Sequence, residues 1–267
     1  MALLHLILVA LVQGITEFLP VSSSGHLILV PLVTGYGDQG LAVDVAVHVG
    51  TLVAVVAYFR AEVALAAGGL ADLARGRTGT PAARLAAGLV VATVPVMAIG
   101  FALEVTGAAR AMRSVAVIGW AMLLFGLLLW WADRRPESRR DDGWTLRHAL
   151  VLGLWQAVAL IPGTSRSGIV ITGARALGYD RESAARLSML MSIPTILAAG
   201  LLLGIEAAGA PQPPGFWRDL GLAAALAGVS AFAALALMMR LLRSVSFTPY
   251  VIYRVLLGAA LLAWAYA

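Results

Sequence analysis

Cysteine is absent from all 267 residues, which removes disulfides, thiolate catalysis and cysteine-based metal sites together. Lysine is absent too, and all 19 basic residues are arginine. Charge of either sign is scarce: 12% of the chain is charged and 61% hydrophobic, where a soluble domain carries roughly 25% and 45–50%. A water-soluble fold is therefore excluded, and the chain reads as a polytopic membrane protein. The first 30 residues lack a positively charged leader, and Glu17 and Pro20 interrupt their apolar stretch, so they do not read as a cleavable signal. The net charge of +5 might suit nucleic acid, but the arginines lie in short loops between apolar runs. That is the pattern of a membrane topology signal, and no nucleic acid is expected. Walker A, Rossmann and zinc signatures are also missing.

What is present is length. Six apolar runs, near 41–59, 85–103, 115–132, 187–205, 220–239 and 250–266, suffice for a hydrocarbon core of about 30 Å, which takes roughly 20 residues. None alternates as barrel strands do, so the expected fold is all-α. Two further regions, 3–33 and 148–177, each split into short arms around a polar break, "PVSSSG" and "PGTSRSG". Arms that short predict re-entrant helical hairpins, because broken backbone at membrane depth needs protein or a watery cavity to satisfy it. A shift of 142 residues lays Pro20 on Pro162, Ser22 on Thr164, Ser23 on Ser165, Ser24 on Arg166 and Asp38 on Asp180. The chain is thus read as one membrane domain, 1–267, built from repeat one (1–134) and repeat two (145–267). With hairpins returning to the side they left, 15 arginines, Arg254 among them, fall in loops on one side and three on the other. The positive-inside rule makes the first side cytoplasmic and both termini external. Three spans separate the hairpins, so the repeats are inverted and the two tips can meet near the midplane, where such proteins place their sites.

The candidate chemistry sits on those tips. Glu17, one helical turn after Gln13, is an ionisable group at a depth where charge is costly and functional by default. Arg166, on the other break, offers the opposite charge. Ser22, Ser23, Ser24 and Gly25 precede the second arm of one hairpin, and Gly163, Thr164, Ser165 and Ser167 occupy the equivalent place. One or two of these hydroxyls are natural helix caps. Two helix N-termini with their free N–H groups, together with a guanidinium, would cradle a phosphate. His26 can act as general acid or base, or orient a serine. Asp44 and His48, also one turn apart, are candidate supports. A carboxylate such as Glu17 beside a bound phosphate can hold a divalent cation, Mg2+ or Ca2+.

At these residues the sequence resembles the bacterial undecaprenyl-pyrophosphate phosphatase family, membrane enzymes associated with bacitracin resistance. The resemblance covers 1–267. It rests on Gln13 and Glu17 followed by "FLPVSSSGH", on Pro162–Ser167, and on "VDVAVHVGT" (43–51) and "SFTPYVIYR" (246–254). Many members carry Glu where this chain has Gln13. The resemblance implies hydrolysis of a C55 polyprenyl pyrophosphate to monophosphate and inorganic phosphate. It also implies a divalent-metal requirement, and a site at the outer face of the bacterial inner membrane. Glu17, Ser23, His26 and Arg166 match the family's core. Ser23 is either a nucleophile or a phosphate ligand for attack by water. Partners are the lipid substrate and membrane lipids; a homodimer is left open. The alternative is a polyprenyl-phosphate flippase using the same cradle.

Overall fold

The computed structural model describes residues 3–37, 39–208 and 215–267, with backbone only at 32, 110 and 202–208. Asp38, matched above with Asp180, lies outside the described residues. The elements are α1 (Leu3–Phe18), α2 (Ser23–Thr34), α3 (Leu41–Tyr58), α4 (Arg60–Ala74), α5 (Pro81–Val105) and α6 (Ala108–Ala111). They continue as α7 (Val115–Asp133), α8 (Leu146–Val158), α9 (Arg166–Ala176), α10 (Arg181–Ala208), α11 (Phe216–Leu241) and α12 (Thr248–Tyr266). Among the described residues no strand forms beyond one isolated bridge, Arg139 with Tyr179. Six helices, α3, α5, α7, α10, α11 and α12, are long and apolar enough to cross a membrane, at the six runs expected. Each broken region is two short helices packed on one another, α1 on α2 and α8 on α9. Helix α4 was not foreseen: Arg60, Glu62, Asp72 and its small residues hide its pattern, and it packs on α5.

Helix pairing is reciprocal between the two halves. The first arm α1 packs on α11, and its counterpart α8 packs on α5; α3 packs on α11 and α10 on α5. Close approach uses small residues, as membrane interfaces do. At Gly50 of α3 an added Cβ would lie 2.1 Å from the Ala224 carbonyl oxygen of α11, so nothing larger fits. The main core gathers Phe18, Leu152, Ile169, Met189 and Leu235 from both halves, so neither half closes alone.

One end is held by charge. Asp133, at the end of α7, accepts from Arg181 Nε at 2.7 Å and the Phe247 N–H at 3.1 Å, with Arg175 Nε at 3.4 Å. It thereby joins α7, α9, α10 and the start of α12. Nearby, burial pushes the Tyr179 phenol up to about 12, so it stays a donor at physiological pH. Removing a buried anion strands the cations around it. Asp133→Ala should cost about 3 kcal/mol, read as a lower unfolding temperature in detergent; unchanged unfolding would remove this anchor.

Candidate active site

The two breaks fold alike for a local reason. Ser22 and Ser165 have φ of 74° and 71°, and among the described residues they are the only non-glycine residues with positive φ. Such backbone costs about 1–3 kcal/mol and persists only where its surroundings over-determine it. Here each serine caps the helix it starts: Ser22 Oγ accepts from Gly25 N at 3.4 Å, and Ser165 Oγ accepts from Gly168 N at 3.1 Å. The hydroxyls of Ser22 and Ser24 lie 3.3 Å apart and those of Ser165 and Ser167 3.2 Å apart. This geometry corrects the register. Ser22 corresponds to Ser165, Ser24 to Ser167 and Gly25 to Gly168, a shift of 143 rather than 142, because Gly163 (φ 89°) adds one residue to the second turn. Ser23 and Arg166 are therefore the equivalent positions, each opening its helix.

The expected partners meet. Arg166 Nη2 donates to Glu17 Oε1 at 2.7 Å, across 149 residues of chain. The other carboxylate oxygen, Oε2, accepts from Ser23 Oγ at 2.7 Å and from Gln13 Nε2 at 2.8 Å, with His48 Nε2 at 3.9 Å. Glu17 is 7% exposed and Gln13 fully buried, so α1 delivers both to the protein interior, as one-turn spacing requires. Ser167 Oγ donates to the Leu19 carbonyl at 3.0 Å and ties one break to the other. Arg166 Nη1, Gln13 Oε1 and Thr164 Oγ1 are buried with no hydrogen-bond partner among the described residues. A cation with a spare donor, beside a hydroxyl held on a carboxylate, can bind a phosphate and direct an oxygen at it.

Other expected residues take different places. His26 does not reach Ser23: its Nδ1 lies 2.7 Å from the Ser22 carbonyl and its Nε2 2.5 Å from the Tyr253 hydroxyl. Since a carbonyl only accepts, Nδ1 carries the proton and Nε2 accepts from Tyr253. The group that accepts from the Ser23 hydroxyl is the Glu17 carboxylate. His48 Nδ1 meets the backbone oxygen of Asp44 at 2.6 Å, while the Asp44 carboxylate accepts from Gln39 at 2.8 Å. Asp44 thus supports His48 through main chain, not through its carboxylate. Ser24 is exposed. Arg254, counted above with the loop arginines, is fully buried inside α12, where its guanidinium meets the carbonyls of both breaks. The depth rule that singled out Glu17 would have found it; proximity to the start of the span hid it.

A helical membrane protein that sets a buried acid at the end of one helix against a hydroxyl and an arginine at two facing helix starts belongs to the class that can act on phosphorylated lipids. The family described as "Bacitracin resistance protein BacA" matches residues 6–260, and the chain belongs to it. It is 64% identical to the undecaprenyl-diphosphatases of Dinoroseobacter shibae and Ruegeria pomeroyi, each over 268 residues covering 100% of both chains. Over 266 residues, 100% of this chain and 99% of the relative, it is 46% identical to that of Hahella chejuensis. These names are those of hydrolases and give the transport reading no support.

Proposed function

We propose that the chain hydrolyses undecaprenyl diphosphate to undecaprenyl phosphate and inorganic phosphate, recycling the lipid carrier for cell-wall synthesis. The observation that carries this reading is the Ser23–Glu17–Arg166 contact, in which one half supplies hydroxyl and base and the other the cation. The lipid diphosphate takes Arg166 from Glu17, engaging the spare Nη1 donor and the free N–H groups at the starts of α2 and α9. Glu17, released from the pair, removes the Ser23 proton. Ser23 Oγ then bonds to the terminal phosphorus as the bond from that phosphorus to the bridging oxygen breaks, and undecaprenyl phosphate leaves, its freed oxygen taking the proton back from Glu17. Glu17, ionised again, deprotonates the water that attacks the phosphoserine, and passes that proton to Ser23 Oγ as its bond to phosphorus breaks and inorganic phosphate is released. Arg166 stabilises charge spreading over the transferred group. His26 and Tyr253 brace the first turn of α2.

No group of three or more His, Asp and Glu side chains among the described residues forms an all-protein metal cage. Glu17, the unpartnered Gln13 Oε1 and the serine hydroxyls nevertheless offer the oxygen donors that Mg2+ or Ca2+ accepts, and such ions commonly complete their shell with substrate phosphate. When bound there, the ion would neutralise phosphate charge.

The chain lies in the bacterial inner membrane with both termini outside, and its two broken-helix pairs are re-entrant hairpins of inverted repeats. The site opens to the periplasmic side. Two features support this arrangement: the arginine asymmetry, still 14 to three with Arg254 removed, and the reciprocal helix pairing. The decisive experiment is phosphate release from undecaprenyl diphosphate by purified protein in detergent, with and without chelator. Steady release that chelator suppresses is expected. Detergent abolishes sidedness, so a flippase would release nothing, and that result would end the hydrolase reading.

A further inference from the structure

Arg254 has no role in the reaction as described, yet it is among the largest fully buried side chains. Its five hydrogen-bond acceptors are all main-chain carbonyls. Nε donates to Met122 and Nη2 to Ala121, both at 3.3 Å in α7. The remaining bonds go to the breaks: Pro20 at 3.4 Å from Nη1, and Gly163 at 3.2 Å and Thr164 at 2.8 Å from Nη2. No carboxylate among the described residues pairs with it. Two glycines make room for it: a Cβ at Gly126 would lie 3.2 Å from its Cβ, and one at Gly168 2.8 Å from its Nη1.

A buried cation without a counter-ion is costly, and an apolar side chain would fill the space more cheaply. What the guanidinium adds is direction and charge. Its guanidinium bonds to main-chain carbonyls of both breaks at once, next to the left-handed Ser165. By holding the Thr164 carbonyl it turns the Ser165 N–H, on the far side of the same trans peptide, away from itself. Its charge also stands unneutralised, whereas Arg166 is paired with Glu17. A guanidinium keeps its proton in proteins, so a lasting positive charge sits directly behind the phosphate cradle.

We propose that Arg254 is a positioning residue for phosphoryl transfer. It fixes the two breaks relative to one another and supplies the standing positive charge behind them. This inference rests on the hydrolase reading above. The test is Arg254→Lys, which keeps the charge and loses the fork, assayed on monodisperse protein in detergent. Turnover should fall about 100-fold with KM within about threefold of wild type, since small misplacement costs rate more than binding. The loss is read as kcat per folded molecule, which a merely structural arginine would leave intact while lowering only the unfolding temperature. Wild-type kcat, or a loss matched by the loss of folded protein, overturns the proposal. Should Arg254→Lys not yield monodisperse protein, Gly126→Ala decides. The three atoms nearest the added methyl all belong to Arg254, so kcat per folded molecule should drop about tenfold; unchanged kcat overturns the proposal equally. If wild-type protein itself releases no phosphate, the hydrolase reading fails instead.

Discussion

Arg166→Lys should lower phosphate release about 10^3-fold while leaving the fold intact, because a single arginine on a transferring phosphoryl group contributes on that scale. Lysine keeps the charge but not the planar fork, and here one Nη already serves Glu17 while the other is spare. KM should rise together with the fall in kcat, since the fork binds the diphosphate before it stabilises the transferred group. Release within tenfold of wild type would place the phosphate elsewhere.

Glu17→Gln should cut turnover roughly 10^2–10^4-fold, the range of a general base, with a different signature. The amide can still accept from Arg166, so the breaks stay joined, but it cannot take the Ser23 proton. It also no longer holds the guanidinium by charge. Arg166 is then freer to grip phosphate, and KM should fall or hold while kcat collapses. A rise in KM matching that of Arg166→Lys would mean that Glu17 serves binding and not proton removal. Measuring both variants with one substrate series separates the roles.

The bundle was legible because crossing a membrane imposes a length, and the six runs met it. The acid and the guanidinium were legible because charge in lipid is conspicuous, whatever the fold. What the sequence could not show was which atoms face each other. His26 lies close enough to Ser23 in the chain to suggest a base, yet its ring is taken by the Ser22 carbonyl and by Tyr253, 227 residues away. The register of the breaks was hidden for a similar reason. Pro20 and Pro162 align by identity, but what repeats physically is a left-handed serine that caps its own helix, and φ is not written in the letters. Helix α4 escaped because its apolar stripe is thin and no lipid-crossing length marks it.

On the re-entrant topology proposed above, the two left-handed serines would also decide where the rest of the chain is delivered. If Ser22 returned to helical φ, residues 3–34 could straighten into a rod of about 48 Å, ample to pierce the bilayer outright. Every later loop would then emerge on the wrong side, carrying the arginine-rich segments with it. On that topology a single backbone angle, held by one hydroxyl, would govern the address of some 230 residues downstream.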